Sequence, residues 1–173
     1  MDAPTLQILK SSNPQILKFM ITLSRSLANH IKRTVTGPMW HGPSLDEVLD
    51  GVTHETAAAH PIAGAHSIWE LVLHVAVWAE IARGRLHGER MDDPSPEENW
   101  PPVTDAMAAS WASTVARMRA SYRALADDVR QLDDSRLAEN MTGLDYTVST
   151  LLHGVIEHGT YHGGQIAILK KGS

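Results

Sequence analysis

The sequence predicts an all-α chain, a four-helix bundle with long connecting loops, and three observations predict it. Four long stretches carry apolar residues at three- and four-residue steps, the spacing that gathers them on one face of a helix. No segment alternates apolar and polar residues as a half-buried strand does. The segments between the four stretches are rich in Gly and Pro, which end helices and build turns. At 173 residues the chain has the size of one domain, so residues 1–173 are expected to fold as a single unit.

The first helix is expected from about Pro14 to about Val35, with Ile16, Leu17, Met20, Leu23, Leu27 and Ile31 on its apolar face. Asn13 and Pro14 make a suitable cap and first turn, and Thr36-Gly37-Pro38 ends it. Residues 37–66 connect, with a short helix starting around Ser44-Leu45-Asp46-Glu47. The second long helix starts at Ser67, which forms an S-x-x-E capping box with Glu70, and runs to about Leu86 before Gly88. Pro94, Pro96, Pro101 and Pro102 mark residues 88–103 as a loop. The third helix is expected from Thr104 or Asp105 to about Leu132, with Ala106, Trp111, Val115, Met118, Tyr122, Leu125 and Val129 on one face. A turn-rich connector from Asp133 to Tyr146 leads to the fourth helix, from about Thr147 to Lys171, where two lysines suit the negative end of the helix. Two long connections permit a bundle in which consecutive helices are not neighbours.

Composition narrows the function. With 43% hydrophobic and 20% charged residues the chain reads as a globular protein, and no apolar stretch approaches the span of a membrane helix. A net charge of −5 without a basic cluster argues against nucleic acid as a partner. Cysteine is absent, which removes disulfides, thiolate ligands and a cysteine nucleophile together. The N-terminus shows no secretory signal, so the expected location is cytoplasmic and the Asn140-Met141-Thr142 triplet is no glycosylation site. Histidine stands out, with 10 copies against 1 Phe and 3 Tyr.

Position decides which histidines matter. His158 and His162 lie one turn apart, about 6 Å of rise, on one helix face with Leu151, Val155, Ile166 and Leu169. That face points to the core, and a buried imidazole needs a partner that a metal ion can supply. A histidine pair alone is a weak signal, since a core histidine more often bonds a backbone carbonyl. The H-E-x-x-H motif is absent, because Gly159 follows His158. The best third ligand is His74, set in the apolar run Ile68–Trp78. His153 serves as a control, about 140° around the helix from His158, and Glu157 shares its side, so both should point away.

The segment Leu151–Ile166, with H-x-x-x-H-x-G-Q-I at its end, resembles the C-terminal signature of the DinB-like superfamily, which includes YfiT-like metal-dependent hydrolases and low-molecular-weight-thiol S-transferases. Ser67–Trp78, with its histidine at 74, is similar to the family's helix-two segment. The resemblance implies an up-down-down-up bundle, a site of His74, His158 and His162 holding zinc or nickel, and a homodimer. Residues 37–66 and 88–103 match no family motif.

Three imidazoles leave a divalent transition metal with open positions, the pattern of catalytic rather than structural sites. Such an ion activates water or a small thiol. Without cysteine in the chain, a thiol has to come from a cosubstrate, so the expected enzyme is an S-transferase or a hydrolase acting on a small molecule. Gln165 is a candidate to orient His162 or a bound water, against a plain packing role. Glu70 lies one turn before His74, but its capping box already explains it; Tyr161 is placed for the pocket rim. Gly163 and Gly164 cost about 1 kcal/mol each inside a helix, which close helix approach or room for a ligand would explain. The five tryptophans, 40, 69, 78, 100 and 111, are expected in the core or an interface. His30, His41, His54, His60, His66 and His87 are expected at the surface or at caps, with His41 the one to look for near the pocket. The alternative function is a non-catalytic metal-binding or stress-response bundle. The pattern argues against a di-iron carboxylate bundle, because Glu70 and His74 are four apart rather than three and no second such motif is present.

Overall fold

The computed structural model describes residues 22–172. The helices, in chain order, are α1 (Leu23–Thr36), α2 (Leu45–Leu49), α3 (His54–Ala58), α4 (Ile68–His87), α5 (Pro96–Asn99), α6 (Ala108–Arg130) and α7 (Val148–Leu169), with a 3-10 turn at Asp134–Ala138. No strand occurs among the described residues, and no helix there is long and apolar enough to cross a membrane.

The four long helices form an all-α bundle whose order follows from a few contacts. The amides of Leu23 and Ser24 donate to the Asp134 carboxylate at 2.9 Å, and Arg130 donates to Asn29 at 2.9 Å, so α1 starts where α6 ends and the two are antiparallel. Trp69 bonds Thr114 at 3.0 Å and Arg83 bonds Asp128 at 2.6 Å, so α4 and α6 run parallel. Leu23 and Leu27 share a hollow with Thr147, while Thr34 lies against Gly159, so α1 and α7 also run parallel. The resulting order is up-down-down-up. Each of α1 and α4 packs on both α6 and α7, while α1 and α4 sit diagonally. The long connections across residues 37–67 and 131–147 carry the chain between non-neighbours. This order lays α4 antiparallel against α7, and the site lies along that seam.

The core between the four helices holds Ile31, Val35, Trp69, Val72, Met118, Leu125, Leu152 and Ile166. Tyr122 is buried there and donates to the Val155 carbonyl at 3.3 Å. That approach requires a glycine opposite. A Cβ at Gly159 would lie 2.6 Å from Tyr122 Oη and 2.7 Å from Thr34 Cγ2. The close approach expected at Gly163 and Gly164 therefore falls at Gly159. A Cβ at Gly163 would meet only Leu45 Cδ2 at 3.4 Å, and one at Gly164 would meet nothing within 4 Å.

Several boundaries differ from the sequence expectation. The described part of the first helix begins at Leu23, with Thr22 as an extended N-cap that accepts from the Arg25 amide at 3.3 Å. The proposed start at Asn13 and Pro14 lies outside the described residues, as do Ile16, Leu17 and Met20. The third long helix starts at Ala108, not at Thr104 or Asp105. Asp105 uses its carboxylate on the Met107 amide (3.1 Å) and the Ser110 hydroxyl (2.6 Å), which closes a turn ahead of the helix and leaves Ala106 exposed. Residues 88–103 are not a featureless loop. Ser95 and Glu98 form a capping box with Pro96 in the first turn, and α5 results. Trp40 is 99% exposed rather than part of a core. The capping box at Ser67/Glu70, the short helix at Ser44–Glu47 and the helix end at Gly88 stand where the sequence puts them; the structure adds a second capping box at Ser44/Glu47 and the left-handed conformation of Gly88.

Candidate metal centre

The antiparallel seam brings His74 of α4 to His158 and His162 of α7. His158 Nε2 lies 3.0 Å from His74 Nε2 and 3.0 Å from His162 Nε2. Among the described residues these three form a group able to hold a metal ion, with ligand atoms all within 4.8 Å of one another. His74 and His162 are buried and His158 is partly buried.

Neighbouring acceptors fix which nitrogens are available. His74 Nδ1 donates to the Asn99 carbonyl at 2.7 Å, and His162 Nδ1 donates to Gln165 Oε1 at 2.6 Å. A carbonyl oxygen can only accept, so both rings carry their proton on Nδ1 and turn an Nε2 lone pair inward. His158 has one ring proton to offer. Placed on Nε2, it satisfies one neighbour and leaves the other contact lone pair against lone pair. Placed on Nδ1, it leaves three lone pairs facing one another and an N–H without an acceptor, because His158 Nδ1 is buried with no hydrogen-bond partner. An additional proton would relieve the conflict, but burial and the two neighbouring imidazoles push His158 down to about 3. Burial likewise lowers His74 and His162, against the raising effect of the Asn99 and Gln165 hydrogen bonds. Three neutral imidazoles with converging lone pairs fit a cation of borderline softness, and the donor set suits zinc, nickel, copper and iron alike.

The connector between α4 and α6 completes the site. The last carbonyls of a helix lack intrahelical partners, so the Asn99 carbonyl at the end of α5 is free to accept from His74. The Asn99 side chain accepts from Trp78 Nε1 at 2.8 Å, which pins α5 to α4. Trp100 stacks on His74 at 3.8 Å between ring centroids, with an interplanar angle of 2°, and His66 stacks on its other face at 3.6 Å and 6°. His66 is exposed, as expected, and also backs the tryptophan that covers a candidate ligand.

Beside the histidines a cleft of about 520 Å³ runs along the α4–α7 seam. His74, Trp78, Ala82 and Arg85 line one wall; Leu151, Gly154, Val155 and His158 line the other. Tyr161 is exposed at the rim, its ring 5.0 Å from His162. At the far end Arg85, only 5% exposed, donates to the Tyr146 hydroxyl at 2.9 Å and to Asp93 at 2.6 Å. A second cavity, of about 480 Å³, shares Trp100, Tyr161 and His162 with the first.

The remaining candidates separate cleanly. Gln165 reaches His162. Glu70 does not reach His74; its carboxylate accepts from the Ser67 amide at 2.7 Å and meets His60 at 3.0 Å, so the Asn99 carbonyl takes the position considered for it. His153 and Glu157 are exposed and away from the cleft. His41 lines a separate small cavity with Pro43 and Leu45. Sequence reasoning missed Asn99, Trp100 and Arg85. The first acts through its backbone and has no sequence signal; the others lie in a Pro-rich connector and among helix arginines that look like surface residues.

Searches of curated proteins and of solved structures give no match for this chain. A family model described as the DinB superfamily matches residues 40–166, a span that contains all three histidines, Asn99 and Gln165. By that match the chain belongs to the DinB superfamily.

Proposed function

We propose that His74, His158 and His162 bind one divalent transition metal ion, zinc or nickel in the first instance, and that the chain is a metal-dependent enzyme conjugating a small thiol to an electrophilic small molecule. The observation that carries this reading is the convergence of three imidazole Nε2 atoms, two with tautomers fixed by carbonyls, beside a largely apolar cleft. When bound, such an ion supplies Lewis acidity that lowers the pKa of a water or thiol. The chain supplies the rest. Asn99 and Gln165 hold two rings in the ligating tautomer, Trp100 shields the face of His74, and aliphatic and indole side chains give the cleft walls suited to an apolar substrate.

Two features favour thiol transfer over hydrolysis. The cleft lining contains no carboxylate to act as a general base on water. Two cavities meet at His162, Trp100 and Tyr161, which suits a reaction of two substrates. A small thiol brings its own nucleophile, as a chain without cysteine requires. A purely structural ion needs no adjoining cleft, so the cleft also favours catalysis over a metal clamp.

Elemental analysis of protein purified without a histidine tag tests the metal, with about one equivalent expected. Conjugation of cysteine to 1-chloro-2,4-dinitrobenzene tests the chemistry. Activity that needs metal and disappears in the His158→Ala/His162→Ala double variant supports the proposal. No metal uptake, or thiol-independent hydrolysis of a nitrophenyl ester by the metal-loaded protein, overturns the transferase reading.

A further inference from the structure

Arg85 is an expensive residue to bury, and the bundle chemistry described so far does not use it. It lies eleven positions after His74, three turns along α4, so both point into the same seam at opposite ends of one cleft. Its Nη1 donates to Tyr146 at 2.9 Å and its Nη2 to Asp93 at 2.6 Å and the Asp92 carbonyl at 3.3 Å. Its Nε is buried with no partner among the described residues. The counterion is weakly committed, since the Asp93 side chain is 86% exposed on the connector. The guanidinium therefore has one edge, Nε with Nη2, that is unpaired at the buried Nε and held at Nη2 by an exposed loop, so a carboxylate gains that edge as Asp93 leaves it. That edge is the fork that grips a carboxylate through two parallel bonds. Between this end and the histidines stand Ala82 and Gly154, the smallest residues available, and a Cβ at Gly154 would meet nothing within 4 Å. Trp78 spans the gap, its ring 5.8 Å from the Arg85 Cζ and 5.9 Å from the His158 ring.

We propose that Arg85 is a carboxylate anchor: the cleft takes a small substrate with a carboxylate on the Nε/Nη2 edge, an apolar middle between Ala82 and Gly154, and its reacting end toward the histidines. The orientation rests on the histidines being the reacting end; the carboxylate site itself does not. On binding, the carboxylate replaces Asp93 on Nη2 and supplies the acceptor that Nε lacks.

The test is a tryptophan-fluorescence titration of the chelator-treated full chain with 3-phenylpropanoate and with uncharged 3-phenylpropanamide. The carboxylate is expected to bind about tenfold more tightly or better, in line with a charge-assisted pair. Arg85→Gln removes that preference, Asp93→Asn strengthens carboxylate binding several-fold by removing the competing carboxylate, and His158→Ala leaves it intact. A preference that survives Arg85→Gln overturns the proposal. So does one that appears only with metal added and vanishes in His158→Ala, since the carboxylate is then on the ion; that outcome leaves the metal reading standing. An Arg85-dependent preference in a protein that takes up no metal does the reverse. Should Arg85→Gln fail to fold, Asp93→Asn decides, and unchanged or weaker binding in that variant refutes the anchor.

Discussion

Acid is the sharpest probe of the three histidines in the metal-free protein. A histidine titrates near 6.5 in an unfolded chain, while burial and its two neighbours push His158 down to about 3 in the fold. The unfolded chain therefore binds a proton that the folded chain refuses. Stability from this group is fully present above about 6.5 and is lost as the pH falls toward about 3. Between pH 7 and pH 5 the folded ring stays neutral, so the loss is set by the unfolded value alone, about 2 kcal/mol for His158. His74 and His162, also lowered mainly by burial, act in the same direction. For a domain of this size the His158 share lowers the melting temperature by roughly 4–8 °C. Urea unfolding at pH 7, 6 and 5 in the presence of chelator measures it, with His158→Gln as the comparison. The variant keeps a polar side chain but cannot titrate, so its stability should fall less on acidification, by about 2 kcal/mol. Equal pH slopes for the two proteins would refute the claim that the seam excludes the proton.

Four other perturbations have defined outcomes. Gly159→Ala gains about 1 kcal/mol of helix propensity but drives a Cβ to 2.6 Å from Tyr122 Oη, so a net loss of about 1–3 kcal/mol is expected in denaturant melts; Gly164→Ala, with open space around it, should gain up to about 1 kcal/mol. Gln165→Leu removes the acceptor that orients His162, and metal affinity measured by competition with a chromophoric chelator should drop about 10- to 100-fold. Zinc or nickel at about a hundred times its dissociation constant should add about 2.7 kcal/mol and raise the melting temperature by roughly 5–10 °C, an effect absent in the His158→Ala/His162→Ala variant.

How much of this was legible in the sequence depends on where the information is stored. Helix existence was legible because apolar periodicity records which face is buried, and Ser67 with Glu70 or Thr36 with Gly37 mark ends through side-chain and backbone chemistry that is local. The three histidines stood out as candidates for the same reason, each being a polar residue where the pattern demands an apolar one. It was the resemblance of Ser67–Trp78 and Leu151–Ile166 to the DinB-like signature that joined them into one expected group, and they do cluster. The start of α6 was misplaced because Asp105 can cap a helix or close a turn, and only the position of Ser110 decides between them. Asn99 was invisible because a backbone carbonyl accepts a hydrogen bond whatever the side chain is. Arg85 shares its stretch with Arg83 and Arg90, and nothing local tells the one under Trp78 from those at the surface. The histidine partner of Trp100 was hidden because residues 66 and 100 meet only after two connectors fold over the seam.

The hydrogen bond from His74 to the Asn99 carbonyl has a consequence for how the chain tolerates change. Surface connectors ordinarily accept added or deleted residues without harm. Here the stretch from Gly88 to Met107 sets the register in which one peptide oxygen and one indole meet the ring of His74. No point substitution deletes that oxygen, whereas lengthening the connector by a single residue would shift both, so insertions there should be felt at the histidines sooner than most exchanges of its side chains.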